Sequence, residues 1–384
     1  MSSTGFVARA SGSKRASGIQ VIPLADIDER KLAAWRELAD RAAEPNPFWD
    51  PDFVLPAARG LGQEHEVAIL CEVNGSDWSA ALPIRRYRPW HRLPVPCVAS
   101  WLHPYCLLGT PLLAPERESR GLGSLVAGMR SVSRFALIAG MDWISADGLG
   151  GEAPGTASNH GGIEISRFSR AVLRRRPQPD YLEGRVRGKH RREFRRLARG
   201  LAEDLGGPLE IVDRSDEADA IDAFLDLEAS GWKGQAQTAL SSSPGHARFF
   251  REAAEAFAAR GSFELLFLEG GGQTAAARCS FLSGGASFCF KLAFDERLGR
   301  FSPGRELELR VIDRFHDEGK LEWMDSCAQP SSETFSRLWP DRRELVTTAY
   351  PAPGPIGAGI RMAAKAAKRY RDTRAARERT SGGR

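Results

Sequence analysis

Apolar and polar positions along the chain alternate between the strand period of two and the helix period of about 3.6. The pattern is clearest after residue 207, where Gly-Gly and Pro-Gly turns bound several segments. It predicts strands at 208–213, 262–269, 273–283, 286–294, 321–326 and 343–349, and helices at 215–231, 246–260, 304–319 and 331–338. This mixture predicts an α/β fold with mixed sheets.

The earlier part of the chain shows a similar order of elements. It predicts strands at 19–24, 65–73, 77–86 and 135–145, helices at 30–43, 51–60 and 116–130, and a poorly defined region up to 113. The hairpin turn Glu72-Val-Asn-Gly75 corresponds to Glu269-Gly-Gly-Gly272. The repeated order predicts a degenerate duplication.

A stretch rich in glycine, serine and proline, 148–162, separates the two similar parts and predicts a linker or long loop. We therefore expect five regions: a disordered N-terminus at 1–18, an N-terminal half at 19–150, a linker at 151–162, a C-terminal domain at 163–350 and a basic tail at 351–384.

Charge is distributed unevenly along the chain. The formal net charge of the 384 residues is +5, but the tail contributes +7 and the first 18 residues +3, which leaves −5 for residues 19–350. Within that body, residues 167–199 hold thirteen basic and three acidic residues, a net charge of +10. This distribution excludes a uniformly basic nucleic-acid binder.

The basic stretch predicts a strand at 163–173 and a helix at 181–205. The helix has a buried stripe of apolar residues: Phe194, Leu197, Leu201 and Leu205. The arginines of this helix then face outward. They form a solvated helix face, an anion site for the phosphates of a ligand, or a contact for RNA.

The sequence contains no apolar run of about 18 residues, so we expect no transmembrane helix. Residues 1–18 also lack the apolar core of a secretory signal, so we expect a cytoplasmic protein. The six cysteines form no C-x-x-C pair and have no nearby histidine at ligand spacing, which predicts buried thiols in a reducing compartment and no metal site. The signature motifs of P-loop enzymes, dinucleotide-binding dehydrogenases, zincins and α/β-hydrolases are absent.

The segment from Lys291 to Arg305 joins a predicted strand to a helix through a polar turn. Ser302 can cap the helix or donate a hydrogen bond, and Gly304 allows an anion to approach the backbone amides. Arg300 and Arg305 add positive charge, so the turn suits a pyrophosphate. The alternative is an ordinary capped helix with proline at its first position.

Alternation along the strand before this turn places Phe288, Phe290, Leu292 and Phe294 on one face, and Cys289, Lys291, Ala293 and Asp295 on the other. Lys291 and Asp295 then form a structural pair or line a substrate cleft.

Two further segments carry candidate side chains. Asp325 and Cys327 end the following strand, at the sheet edge where open α/β folds bind ligands. Cys327 is either a small buried thiol or a nucleophile. Trp232 and Lys233, flanked by glycines, form a binding loop or anchor an interhelix turn.

Short motifs in this order resemble the GNAT superfamily of acyl-CoA-dependent N-acyltransferases, and more narrowly its tandem-GNAT branch associated with cellulose biosynthesis. They are Asn46-Pro-Phe48, His103-Pro-Tyr105, Gly109-Thr-Pro-Leu112, Gly231-Trp-Lys-Gly234, Lys291-Leu-Ala-Phe-Asp295, Ser302-Pro-Gly304, Asp325-Ser-Cys-Ala328 and Leu338-Trp339 with Arg342-Arg343. The resemblance spans nearly all of residues 20–349.

The resemblance implies that acetyl-CoA or another acyl-CoA lies where strands 286–294 and 321–326 splay apart. Phe290 and Leu292 would then contact the pantetheine arm. The amides of Ser302, Gly304 and Arg305, together with Arg300, would bind the pyrophosphate.

The acceptor would be an amine of a small molecule, an amino sugar or a polysaccharide precursor, bound by Trp232, Lys233, His103 and Tyr105. Asp325 is the first candidate for the base and Asp295 the second, and Lys291 would orient the acceptor or screen the oxyanion. Many members place a tyrosine after the fifth strand to protonate the thiolate, whereas 331–339 contains Phe335 and no tyrosine.

Two alternatives remain. A Fem-type transferase would use aminoacyl-tRNA, which would bind the basic stretch and is the one case in which we expect a nucleic-acid partner. A catalytically silent scaffold of exopolysaccharide or cellulose synthesis would dock through the basic tail.

Overall fold

The structure is a computed structural model that describes residues 18–91, 95–133, 135–146, 162–176, 184, 186–231, 234 and 236–363. Nearly all of the expected disordered N-terminus and linker, and the tail beyond residue 363, lie outside the described residues.

The first part of the chain forms β1 (Gly18–Pro23), α1 (Glu29–Asp40), α2 (Pro51–Gly60), β2 (Val67–Asn74), β3 (Asp77–Tyr87), β4 (Cys97–Ser100), β5 (Leu112–Leu113), α3 (Glu118–Val132) and β6 (Ile138–Ser145). Aspartate caps start two of these helices. Asp28 accepts a hydrogen bond from the Lys31 amide, and Asp50 precedes Pro51 at the first position of α2.

The second part forms β7 (Ile163–Arg174), α4 (Gly188–Leu205), β8 (Glu210–Asp213), α5 (Ala220–Ser230), α6 (Pro244–Ala258), β9 (Phe263–Gly270), β10 (Gln273–Ser283), β11 (Ala286–Phe294), α7 (Pro303–Glu318), β12 (Trp323–Asp325), α8 (Glu333–Leu338) and β13 (Asp341–Pro351). Two glycine pairs, 271–272 and 284–285, have positive φ angles. Such pairs make the tight two-residue turns of hairpins, so β9, β10 and β11 form an antiparallel meander.

All described strands belong to one sheet, in the order β1-β2-β3-β4-β6-β13-β7-β12-β11-β10-β9-β8, with β5 beside β3. Outward from the central pair of β13 and β7, both sides have the same arrangement. Each has one parallel pairing, β4 with β6 or β11 with β12, followed by antiparallel strands. The duplication predicted from the sequence is therefore confirmed in the topology.

The two central strands are exchanged between the two parts of the chain. β7 is the next strand after β6 along the chain, but it pairs with β12 and not with β6. β13 ends the second part but pairs with β6 of the first part, with Pro351 opposite Ile138. We call this arrangement the strand exchange; it joins both parts into one continuous sheet.

Most predicted elements lie within a few residues of their observed bounds, and 51–60, 273–283 and 286–294 coincide with α2, β10 and β11. The helix expected at 215–231 begins later, at Ala220, and the strand expected at 321–326 is only Trp323–Asp325. The poorly defined region up to 113 contains the short strands β4 and β5, which local alternation is too brief to reveal.

An aromatic cluster joins the two parts across one face of the sheet. Phe53 of α2 lies 5.1 to 5.9 Å, between ring centroids, from Phe249, Phe281 and Phe290 of the second part. Beside it, α2 crosses α6 so closely that a Cβ on Gly245 would stand 2.3 Å from the Gly60 carbonyl oxygen. A second apolar cluster, which includes Leu201, covers the other face under α4 and α7.

Candidate active site

A cavity of about 360 Å³ lies between the end of β11, the N-terminus of α7, and helices α4 and α8. Its lining includes Phe194, Leu292, Phe294, Gly299, the turn from Ser302 to Arg305, and side chains of α8 such as Phe335. The cavity exists because β11 and β12 pair over only three residues. After Phe288 pairs with Asp325, β12 ends and β11 continues.

The N-terminus of α7 forms the floor of this cavity. Ser302 adopts a left-handed backbone with φ of 57°, and Pro303 occupies the first helical position. The amides of Ser302 and Arg305 donate to the carbonyls of Gly299 and Ser302, so local turns already use them. The Gly304 amide has no acceptor one turn earlier in α7 and is therefore available to a ligand. A Cβ on Gly304 would stand 2.8 Å from the Leu292 side chain.

A bulge in β11 changes which side chains share a face. The pairing with β10 places Cys279 opposite Lys291 and Ser280 opposite Cys289, so the register skips Phe290. Phe290 therefore packs into the aromatic cluster, whereas Leu292 and Phe294 line the cavity on the opposite face. The prediction that these three residues share a face was wrong, because a bulge breaks the alternation.

The bulge also directs Lys291 away from the cavity, toward a polar cluster on the other face of β11. The Lys291 ammonium lies 2.6 Å from a carboxylate oxygen of Glu228, at the end of α5, and 5.9 Å from the ring centroid of Tyr105. The Tyr105 hydroxyl lies 2.9 Å from Nδ1 of His246 on α6. Four separate segments thus meet in this cluster, and the first part of the chain contributes the tyrosine.

Burial and nearby charge shift the pKa values of Tyr105 and His246 in this cluster. Burial, with a contribution from Glu228, raises the pKa of Tyr105 to about 12. Burial, with a contribution from Lys291, lowers the pKa of His246. At neutral pH the tyrosine is therefore a neutral hydroxyl and the histidine a neutral imidazole that can accept its proton.

Glu228 and His246 are functional candidates that the sequence interpretation missed. Glu228 lies 63 residues from Lys291, and His246 lies 141 residues from Tyr105. No local pattern connects residues that far apart. A small cleft lined by Glu228 and Ala293 shares Leu292 and Phe294 with the larger cavity, so the two sites are adjacent.

The structure places Asp325 inside a buried ion network at the strand exchange. Arg170 of β7 and Arg343 of β13 donate hydrogen bonds to one of its carboxylate oxygens, over 2.7 and 2.9 Å. The Cys327 amide donates to the other oxygen, and Arg343 also pairs with Glu44. The side chain of Asp325 is fully buried. Its oxygens are therefore occupied by structural partners.

Asp295 lies apart from Lys291. Its carboxylate caps the short 3-10 helix after β11 and pairs with Arg297, which lowers the pKa of Asp295. Of the two alternatives for Lys291 and Asp295, the structural pair is therefore wrong, because Lys291 pairs with Glu228 instead.

The remaining predicted residues lie in different surroundings. Arg300 turns away from the cavity, pairing with Asp204 of α4 and lying over the Phe301 ring. Arg305 lines the cavity and lies 4.3 Å over the ring of Phe194. Trp232 and Lys233 lie outside the described residues.

His103 is buried and Cys327 is partly buried, and both side chains stay neutral at neutral pH. His103 stacks on Trp101, and its Nε2 has no hydrogen-bond partner among the described residues. Burial lowers the pKa of His103 to about 3, so it stays neutral. Burial also raises the pKa of the Cys327 thiol, which disfavours a nucleophilic role.

No group of three or more histidine, cysteine or acidic side chains that could hold a metal ion occurs among the described residues. Within that same part of the chain, no helix is both long and apolar enough to cross a membrane.

Part of the chain matches a known protein family. Residues 188–334 match the family model described as an acetyltransferase (GNAT) domain. The chain therefore contains a GNAT domain and is an enzyme of the acyltransferase class. None of the curated protein sequences compared with the chain matches it.

Solved structures share the fold across both parts of the chain. FemX is 10% identical, with a TM-score of 0.54 over 84% of this chain and 96% of that one. L-PGS from Bacillus licheniformis is 9% identical, with a TM-score of 0.51 over 88% and 96%. The C-terminal domain of a putative lysylphosphatidylglycerol synthetase from Agrobacterium fabrum is 14% identical, with a TM-score of 0.50 over 83% and 90%. Identities this low show a common fold, and the cellulose-biosynthesis branch stays a prediction.

Proposed function

We propose that the protein transfers an acyl group, such as acetyl, from acyl-CoA to an amine. The observation that carries this proposal is the cavity between the free edge of β11 and the N-terminus of α7. A helix N-terminus attracts anions, and an unpaired strand edge offers amides and carbonyls to an extended pantetheine arm. No metal is required, and because acyl-CoA is a cytoplasmic metabolite, the proposal also implies a cytoplasmic location.

The donor would lie along β11, with its arm against Leu292 and Phe294. Its pyrophosphate would meet the Gly304 amide, the N-terminal dipole of α7 and the Arg305 guanidinium. Arg305 is half-buried against Phe194, which holds the guanidinium in one place. In this arrangement Ser302 shapes the turn and its amide is used locally.

The acceptor would approach from the other face of β11, where Lys291 is adjacent in sequence to Leu292. The amine nitrogen attacks the thioester carbonyl, the carbon–sulfur bond breaks, and an amide and the CoA thiolate result, the thiolate taking its proton from solvent. Lys291, held by Glu228, would screen the oxyanion that forms during attack. The amine proton would pass to the Tyr105 oxygen as the tyrosine proton moves to Nδ1 of His246.

In this mechanism the polar cluster, and not Asp325 or Asp295, takes the proton of the amine. Asp325 would support the sheet, since two guanidinium groups occupy its carboxylate, and Asp295 would fix the turn after β11. His103 would form part of the buried wall behind Tyr105. An amino sugar or a polysaccharide precursor remains the acceptor that we propose, and Trp232 and Lys233 remain proposed contacts for it.

Binding of acetyl-CoA tests the donor site. A ligand at 100 times its dissociation constant stabilises a folded protein by about 2.7 kcal/mol, which thermal unfolding detects. We expect Gly304→Glu to abolish this stabilisation, because the new carboxylate would enter the cavity and repel the pyrophosphate. The milder Gly304→Ala should weaken it while the fold is retained.

Gly359→Glu is the matched control, since a Cβ there meets no described atom within 4 Å. It should respond to acetyl-CoA as the wild type does. If neither acetyl-CoA nor longer acyl-CoA thioesters stabilise the wild type, the proposed function is wrong.

A second candidate, transfer from aminoacyl-tRNA, is favoured by one observation: α4, whose Phe194 lines the donor cavity, also carries exposed arginines. Charge reversal on α4 should then remove tRNA binding, and that binding should weaken steeply with salt.

A further inference from the structure

Helix α4 carries a row of exposed cations, Lys189, Arg192, Arg195 and Arg199, which we call the basic stripe. Their spacings of three, three and four residues place them on one face of the helix. None of the four has an ion-pair partner among the described residues, although Arg196 beside them pairs with Glu193. The stripe is therefore a stretch of uncompensated positive charge on a body that is otherwise acidic.

Contacts fix α4 beside the donor cavity. Its Phe194 lines the cavity and lies under Arg305, and its Asp204 pairs with Arg300. The helix also packs closely on the turn before α7, where a Cβ on Gly200 would stand 2.8 Å from the Phe301 ring. The basic stripe is thus held in a constant position relative to the mouth of the cavity.

The length of the stripe exceeds what the nucleotide of CoA needs. Arg199 lies ten positions after Lys189, which corresponds to about 15 Å along the helix. The Gly304 amide and Arg305, inside the cavity, already suit one pyrophosphate. A straight row of four cations outside the cavity complements an acidic helix on a protein surface.

The geometry points to an acidic carrier protein as the donor, which docks on the basic stripe and delivers its acyl group on a phosphopantetheine arm. This inference rests on the proposed function, because the same cavity must take the arm. The thioester of the carrier loses its acyl group to the amine, and the carrier leaves as the free thiol. Free CoA carries the same arm but lacks the acidic surface.

The test compares three probes: an acyl carrier protein with its phosphopantetheine arm, free acetyl-CoA, and bulk tRNA. Binding of labelled carrier protein is measured by fluorescence anisotropy, and that of acetyl-CoA by calorimetry, on the full chain. The variant R192E/R195E/R199E reverses most of the stripe. The control R30E/R88E/R120E reverses three exposed arginines in the first part of the chain, for the same change in net charge.

We expect R192E/R195E/R199E to weaken carrier binding at least tenfold and acetyl-CoA binding less than twofold, and the control to leave both unchanged. Carrier affinity should also fall as salt is added, because screening weakens charge complementarity. Equal losses for carrier and acetyl-CoA would overturn the inference and assign the stripe to the nucleotide. Tighter binding of tRNA than of carrier, lost in the same variant, would overturn it in favour of RNA.

The proposed function and the inference fail in different ways. If acetyl-CoA binds the wild type but the carrier protein does not, the inference is wrong and the proposed function stands. If neither acetyl-CoA nor the carrier binds, both are wrong.

Discussion

Replacing Asp325 by asparagine separates a structural role for this carboxylate from a catalytic one. Asp325 is fully buried between Arg170 and Arg343, whose side chains are 2% and 0% exposed. With Glu44, the network has two negative and two positive groups. Asp325→Asn preserves the shape of the side chain but leaves one buried positive charge without compensation.

The expected cost follows from that imbalance. Removing one partner of a buried ion pair destabilises a protein by about 3–5 kcal/mol, because the remaining charge stays out of water. We therefore expect the free energy of unfolding, from urea denaturation followed by circular dichroism, to fall by about that amount. Asp317→Asn is the control, since Asp317 is exposed, and should change stability by less than about 0.5 kcal/mol.

A double variant tests whether charge causes the loss. Asp325→Asn combined with Arg343→Met again leaves equal numbers of positive and negative groups, so it should be more stable than Asp325→Asn alone. Asp325→Asn with unchanged stability would refute the reasoning. If that variant also lost acyl transfer, Asp325 would again be the first candidate for the base.

Two further changes test the buried histidine and the contact between the two parts of the chain. Because the pKa of His103 is lowered to about 3, only the unfolded chain binds its proton as the pH falls below about 6.5. Between pH 6 and 4 the wild type should therefore lose stability relative to His103→Gln by about 1.4 kcal/mol for each unit that the pH falls, as measured by urea denaturation. A difference in unfolding free energy between the two proteins that stays constant with pH would contradict the lowered pKa. Gly245→Ala forces a methyl group against the Gly60 carbonyl and should lower the free energy of unfolding by about 1–3 kcal/mol, as measured by thermal unfolding. The control Gly359→Ala should leave stability unchanged. Equal melting temperatures for Gly245→Ala and the wild type would show that α2 and α6 can separate freely.

The sequence grouped the residues of the proposed donor site more completely than those of the proposed acceptor site. The segment from Leu292 to Arg305 is continuous in sequence, so its strand, turn and helix cap were visible as one pattern, and Leu292, Ser302, Gly304 and Arg305 all line the cavity. Phe290 was misplaced because the bulge arises in the pairing with β10, and alternation along one strand does not show it.

The acceptor side depends on contacts between distant segments. Lys291 was identified, but its partner Glu228 and the pair of Tyr105 with His246 come from three other segments of the chain. Asp325 lies at a strand end and was the first candidate for the base. Its two arginines come from the exchanged strands β7 and β13, which sequence periodicity does not pair.

The strand exchange also affects how the chain is made. One edge of β6 pairs with β4, and the other pairs with β13, which lies about 200 residues later in the chain. The first part therefore stays incomplete until nearly the whole described chain has been synthesised. Contacts at such long sequence separation fold slowly. In the meantime β6 is an open sheet edge that can pair with other chains. Truncation before Asp341 should therefore cause aggregation of the first part rather than yield a smaller folded protein, and chaperones that hold nascent chains should matter more for this enzyme than for a single GNAT domain.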